Sequence, residues 1–261
     1  MKSITFLKKI KAKKIFVQFP EGLKTEIQSI SKYLEDKGFD VILSCESTYG
    51  ACDIRDDEAK RLKCDAILHI GHSDFGVKSK IPVVYWEYFY DIDPIPVLKK
   101  EYKKISKYNK IGLITNVQFI KSLKSVKEFL KTKEKKIFTN KSLNYSGQIL
   151  GCNIDAAKKI ENKVDCFLYI GSGNFYALGL DLKINKPIFI LDLEKKVIRQ
   201  LDSKKLKDKE VYILAFDEIT PEKLEGLKLD FLINCACPRI GIDDISRYKI
   251  PIVNYNDLND V

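Results

Sequence analysis

Asp65-Ala66-Ile67-Leu68-His69-Ile70-Gly71 and Asp165-Cys166-Phe167-Leu168-Tyr169-Ile170-Gly171 stand one hundred residues apart in the chain. Each begins with an aspartate, runs through mostly apolar positions and ends on a glycine. A short apolar run closed by a turn residue reads as a buried strand, because a helix needs a longer apolar stripe. The register between the two copies needs no gap through the central block. Cys52 falls on Cys152, Asp65 on Asp165, Leu68 on Leu168, Ile70 on Ile170, Gly71 on Gly171 and Phe75 on Phe175. Self-similarity at a fixed period marks a repeated supersecondary unit, so the chain reads as copies of one building block.

Outward from the first copy, residues 15–19 read as a strand, 25–37 as an amphipathic helix, 41–44 as a strand, 54–62 as a polar helix and 83–86 as a strand after Pro82. The second copy repeats the order with strand 111–115, helix 119–131, strand 136–139, helix 155–163 and strands 167–170 and 188–191. Such alternation indicates βαβ units and a mainly parallel sheet. A third, partial unit takes in strand 211–216, a helix starting at Pro221 and strand 231–234, and closes on Cys235-Ala236-Cys237-Pro238-Arg239. Residues 194–210 offer only a lysine-rich bridge where that unit's first strand and helix would stand. The expected fold class is α/β, with three pseudo-repeated βαβ-type units and mainly parallel four-stranded sheets. Their expected bounds are 1–105 around Cys52, 106–195 around Cys152 and a shortened 196–261 around Cys237.

Hydrophobic residues make up 45% of the 261, enough to bury one large core or several small ones. No apolar run approaches the roughly 18 to 20 residues that span a bilayer. Residues 1–14 form an amphipathic, lysine-rich start without the apolar segment of a secretion signal. The expectation is a soluble, cytoplasmic protein with no membrane contact. The net charge of +10 comes from lysines scattered singly and in pairs, with acids between them. That pattern describes a solvated surface, and without a helix-turn-helix, zinc finger or aromatic RNA-binding signature no direct nucleic-acid contact is expected.

Seven cysteines in an intracellular chain argue for core thiols, a catalytic thiol or a metal site rather than disulfides. Cys45, Cys64 and Cys166 lie within or beside expected strands and read as small core residues. Cys52 and Cys152 each follow a glycine-containing loop and precede a helix, a place where backbone N–H groups favour a thiolate. In a mainly parallel sheet such loops line the crevice at the strand ends. Two equivalent cysteines suggest a shared centre, with a third thiolate from Cys235 or Cys237; the bland account is a tolerated small residue in a repeated loop. Gly71-His72-Ser73 and Gly171-Ser172-Gly173 follow strands and could offer N–H groups to a carboxylate or nucleoside, as many α/β turns do. Of the two histidines, His69 reads as packing and His72 as a ligand contact. No nucleophile elbow supports a serine hydrolase.

Taken together, Gln18-Phe19-Pro20-Glu21-Gly22-Leu23, Thr48-Tyr49-Gly50-Ala51-Cys52-Asp53, Gly71-His72-Ser73, Gly147-Gln148-Ile149-Leu150-Gly151-Cys152-Asn153, Gly171-Ser172-Gly173 and residues 236–244 span nearly the whole chain. In this combination the sequence resembles the diphthamide biosynthesis family, specifically its archaeal-type 2-(3-amino-3-carboxypropyl)histidine synthases. The resemblance implies a homodimer in which Cys52, Cys152 and Cys237, one per unit, hold a central 4Fe-4S cluster. It implies binding of S-adenosylmethionine at the open iron and breakage of the sulfur bond to the methionine γ-carbon. Transfer of a 3-amino-3-carboxypropyl radical to a histidine of translation elongation factor 2 would follow, leaving methylthioadenosine. An electron donor is a further implied partner. Pro20, Gly22, His72, Gln148, Gly171, Ser172 and Gly173 are the expected S-adenosylmethionine contacts by motif position.

Two other classes compete with the enzyme: a non-catalytic iron–sulfur electron-transfer or auxiliary subunit, and a nucleoside- or sugar-binding module of periplasmic type. Retention of all three candidate ligands favours the enzyme, and the missing export signal weighs against the module. Within the third unit, Pro238 biases the chain toward a turn and so places Cys237 at an exposed strand end, with Cys235 in the packed strand level with Ile70 and Ile170.

Overall fold

The structure, a computed structural model, describes residues 2–46, 48, 50–74, 76–150, 153–173, 175–181, 183–201, 212, 214, 216, 219–235 and 245–254. The first unit runs α1 (Lys2–Lys9), β1 (Lys14–Gln18), α2 (Ile27–Glu35), β2 (Asp40–Leu43), α3 (Asp56–Arg61), β3 (Ala66–Ile70) and β4 (Val83–Trp86). Its strands form one parallel sheet in the order β2-β1-β3-β4. Helix α4 (Ile95–Glu101) leads to the second unit: β5 (Lys110–Thr115), α5 (Ser122–Thr132), β6 (Lys136–Phe138), α6 (Asp155–Lys158), β7 (Cys166–Gly171), α7 (Phe175–Asp181), β8 (Ile188–Asp192) and β9 (Val197–Gln200). Here the order is β6-β5-β7-β8-β9, parallel except for β9, which runs antiparallel to β8. Among the described residues the third unit supplies α8 (Pro221–Leu224) and two parallel strands, β10 (Leu232–Asn234) and β11 (Ile252–Asn254).

The central strands β3 and β7 are buried at every position, as strands covered by helices on both faces must be. Side chains alternate between those faces. Ile15, Val17, Leu68 and Ile70 pack with Leu7 of α1 and Leu34 of α2, while Phe16 and Ile67 pack with Ala59 of α3 and with Cys64. By the same alternation Gln18 and His69 fall on the α3 side, below the loop that carries Cys52. In the second unit Leu113 and Leu168 pack against Leu98 of α4 and Val126 of α5. On its opposite face Ile114, Phe167 and Tyr169 pack against Ala156 of α6 and Ala177 of α7.

The repeated aspartates have the same task in both units. Asp65 Oδ2 accepts hydrogen bonds from the backbone N–H groups of Lys13 and Lys14, each at 2.8 Å. Asp165 Oδ2 accepts from Asn109 at 3.0 Å and Lys110 at 2.8 Å. The residue before each central strand thus satisfies the donors at the start of the strand beside it, and those donors hold the Asp65 carboxyl below its ordinary range. Asp65→Ala and Asp165→Ala should each lower stability by about 1 kcal/mol, read by urea unfolding. Unchanged midpoints would mean that water replaces the carboxylate without cost.

Several expectations need correction. The second sheet has five strands rather than four, because β9 folds back on β8. Helix 155–163 is broken into α6 and a 3-10 turn at Glu161–Lys163, and helix 119–131 begins as a separate 3-10 turn, Val117–Phe119. Cys64 and Cys166 are buried as expected, but Cys45 is exposed, since β2 stops at Leu43. Cys235 is also exposed, one residue beyond β10, and not in the packed strand. The expected strand 211–216 falls partly outside the described residues.

Candidate functional site

Cys52 lies in the loop joining β2 to α3, at the carboxyl ends of the first sheet's parallel strands. Its thiol is free and exposed. Two side chains from neighbouring strands hold this loop by its backbone. Gln18, the last residue of β1 and fully buried, donates from Nε2 to the carbonyl of Asp53 at 3.1 Å and accepts at Oε1 from the N–H of Arg55 at 3.1 Å. Tyr85 of β4 donates from its hydroxyl to the carbonyl of Ala51 at 3.0 Å. The peptide unit before Cys52 and the two that follow Asp53 are therefore held. Gly50 leaves the near side of the sulfur open; a Cβ there would lie 3.6 Å from Cys52 Sγ.

Beneath the loop, His69 Nε2 and His72 Nδ1 are 3.0 Å apart, so one ring donates to the other. His69 is fully buried and its Nδ1 has no hydrogen-bond partner. Burial brings the His69 pKa down to about 3, with the charge of His72 adding to the effect, and brings His72 down to about 4 against the opposing pull of Asp53. Both rings are neutral near pH 7. The ring of Tyr85 lies 5.2 Å from that of His69, and burial, then Asp74 and Cys52, push its hydroxyl up to about 12, so it stays protonated and can donate.

The second unit is latched onto this region. Gln148 is fully buried; its Nε2 donates to Ser73 Oγ at 3.0 Å and its Oε1 accepts from the N–H of Tyr145 at 3.1 Å. Asn144 donates to the carbonyl of Asp74 at 3.0 Å, the Tyr145 hydroxyl donates to Glu87, and Gln118 Nε2 donates to the carbonyl of Gly71 at 2.9 Å. The segment leading to Cys152 is in this way tied to the strand ends beside Cys52.

The residues singled out by motif fall in several places. His72 is half-buried and meets His69. Pro20 covers Gly71, whose φ of +95° and whose missing Cβ, which would lie 3.0 Å from the proline ring, both require glycine. Gly22 faces open space. Gly171 makes room for the hydroxyl of buried Tyr169, which would lie 2.5 Å from a Cβ there. Ser172 is half-buried, and the carbonyl of Gly173 accepts from Arg199 at 3.4 Å. Arg199 also pairs with buried Asp192 at 3.3 Å. Cys152 and Cys237 lie outside the described residues. Among the described residues no three metal-ligating side chains converge. Gln18, Tyr85 and Arg199 were not foreseen; the signal for Gln18 was an amide closing an otherwise apolar strand.

Repeated α/β units with a free thiol at a strand end, set in a backbone-braced loop, define a repeat protein built around cysteine-bearing loops. The diphthamide synthesis protein family model matches residues 19–206 and 194–259, and the chain belongs to that family. The two matches overlap at 194–206. The 2-(3-amino-3-carboxypropyl)histidine synthase of Pyrococcus horikoshii is 29% identical over 95% of this chain and 85% of its own. The 2-(3-amino-3-carboxypropyl)histidine synthase subunit 1 of Saccharomyces cerevisiae is 31% identical over 97% of this chain and 71% of its own. The crystal structure of Dph2 from Pyrococcus horikoshii with a 4Fe-4S cluster superposes with a TM-score of 0.76 at 26% identity, covering 99% of this chain and 88% of that one.

Proposed function

We propose that the chain is a transferase for the first step of diphthamide formation, moving a 3-amino-3-carboxypropyl group from S-adenosylmethionine to a histidine of translation elongation factor 2. The observation that carries this reading is the braced, exposed Cys52 at the strand ends, in a chain of the diphthamide synthesis family. Cys52, Cys152 and Cys237 would hold a 4Fe-4S cluster, and the fit rests on soft thiolate donors and on the open side of the Cys52 sulfur left by Gly50. When bound and reduced, the cluster supplies one electron that breaks the bond from sulfur to the methionine γ-carbon, leaving methylthioadenosine.

The chain's own residues supply position and a water-poor floor. The neutral His69–His72 pair adds no positive charge beneath the Cys52 loop, where one would oppose a bound sulfonium, and the Tyr85 hydroxyl stays protonated. Ser172 and the Gly173 turn, braced by Arg199, stand at the strand ends of the second unit where the methionine or nucleoside portion would bind. The reading includes a cytoplasmic homodimer, an external electron donor and three units bounded at 1–105, 106–195 and 196–261. Among the described residues no helix is long and apolar enough to cross a membrane.

Anaerobically reconstituted protein should be brown and bleach with dithionite, and with S-adenosylmethionine it should release methylthioadenosine. Mass spectrometry of the elongation factor should show one aminocarboxypropyl addition, lost when the target histidine is replaced. Deoxyadenosine as the main nucleoside would overturn the reading.

A further inference from the structure

Gln18 has no free polar atom to offer a ligand. It is fully buried, its Nε2 is used on the carbonyl of Asp53 and its Oε1 on the N–H of Arg55. These two groups flank Ile54, whose own N–H donates to the carbonyl of Cys52 at 3.1 Å, so a single amide grips the backbone on the carboxyl side of the sulfur. Tyr85 grips the carbonyl of Ala51 on the amino side. An apolar side chain would fill the end of β1 at least as well, since Ile15, Phe16 and Val17 before it are buried and apolar. A buried amide costs free energy unless both its ends are satisfied, and here both are satisfied by one loop.

We infer that Gln18 is a positioning residue that fixes the direction of the Cys52 sulfur, and through it the orientation of the metal group toward the sulfonium of the substrate. This rests on the reading of Cys52 as a cluster ligand. The same device serves the neighbouring unit in altered form. Gln148, four positions before Cys152, is also fully buried and uses both amide atoms, one on its own turn at Tyr145 and one across the unit boundary on Ser73. Gln148 therefore ties the segment before Cys152 to the turn after β3, whereas Gln18 holds the Cys52 loop. An amide suits either task because it donates and accepts at fixed spacing, so two backbone groups are held in register by one rigid plane.

The consequence concerns quality of alignment rather than presence of the cluster. Cys52 itself is untouched when Gln18 is changed, so metal can still bind, but its surroundings relax. Partners that orient metal ligands typically govern affinity or activity by about 10- to 100-fold. The relaxation should appear in the electronic structure of the reduced cluster, because hydrogen bonding and ligand geometry at the sulfurs set its potential.

The test compares the full-length protein with Gln18→Met, which keeps the shape and removes both hydrogen bonds, and Gln18→Glu, which keeps the acceptor for Arg55 and removes the donor to Asp53. Each is reconstituted anaerobically and measured for iron per protomer, midpoint potential, the electron paramagnetic resonance spectrum after dithionite, and methylthioadenosine formed per reduced cluster. Both variants should bind iron, show a shifted or broadened spectrum and a changed potential, and make methylthioadenosine about 10-fold or more slowly per reduced cluster, with Gln18→Met the more affected. Wild-type spectra and turnover in both variants would overturn the proposal. So would failure of both to fold, since Gln18 would then be a residue of the core alone. If the wild type holds a cluster but makes no methylthioadenosine, the proposed reaction fails while the spectra still decide the role of Gln18. A wild type that binds no iron overturns both.

Discussion

Cys52→Ala is expected to fold and to lose the cluster. The thiol is exposed and contributes little to the core, so its removal leaves the packing of β1, β3 and α3 as it is. With one of the three proposed thiolates gone, the remaining two could not hold four irons against solvent and chelators. The contrast is Cys166→Ala, in which a fully buried side chain of β7 is truncated. That variant should keep its iron and lose about 1 to 2 kcal/mol of stability. Iron per protomer after anaerobic reconstitution, set beside a urea midpoint for each variant, separates the two cases. Full iron content in Cys52→Ala would remove the foundation of the functional reading.

A second large effect is expected on acidification. A histidine whose folded pKa lies below its unfolded value binds fewer protons folded than unfolded, so stability falls as pH falls through the window between them. For His69 and His72 that window runs from the ordinary value of 6.5 down to about 3 and about 4. Their neutral burial contributes fully above the upper limit and is progressively lost below it. By about pH 5 the loss should be on the order of 1 to 2 kcal/mol for each ring. The carboxylates work in the same direction but at lower pH, since Asp65 titrates below its ordinary value of 3.8. Unfolding free energies measured between about pH 7 and pH 5 should therefore decline steeply in the wild type and less so in His69→Gln. Parallel slopes for the two proteins would show that the pair does not titrate with folding.

The repeat was legible because the fold's demands recur at fixed positions. An aspartate that caps a neighbouring strand, a strand buried on both faces and a glycine at its end are each written in one or two residues, and all three stand in both copies. Elements whose signal is diluted were not read. Strand β9 is a short segment, Val-Ile-Arg-Gln, flanked by lysines, and it is a strand only because β8 offers an open edge. Helix α4 begins beside Pro94 and Pro96, and α7 contains Gly179, so neither shows a clean helical stripe. Cys45 and Cys235 were assigned to the core on proximity to strands that end one or two residues earlier. In the site, the cysteine of the first unit could be picked out from its glycine loop. Motif position marks Gln148 as a substrate contact and gives Gln18 no role, and the bracing task of either could not be read, because a glutamine in an apolar run does not say which groups it will reach.

Each sheet has an outer strand guarded by a helical segment, and this bears on how the protein behaves at high concentration. An uncovered strand edge is a template for pairing with a second molecule, the usual start of aggregation. In the first unit β4 is shielded by α1, and Ser3 of that helix donates to the carbonyl of Tyr85 at 3.1 Å, occupying an acceptor on the strand. In the second unit one outer strand is β9, where the N–H of Ile198 donates to Glu101 at 3.4 Å and its carbonyl accepts from Lys104 at 2.7 Å, and the approach carries exposed Lys195 and Lys196. A strand from another copy would have to bring its own charges, in a chain of net +10, against those lysines. Side chains thus occupy backbone groups on both strands, and at β9 the repulsion between lysines adds a second guard that salt weakens.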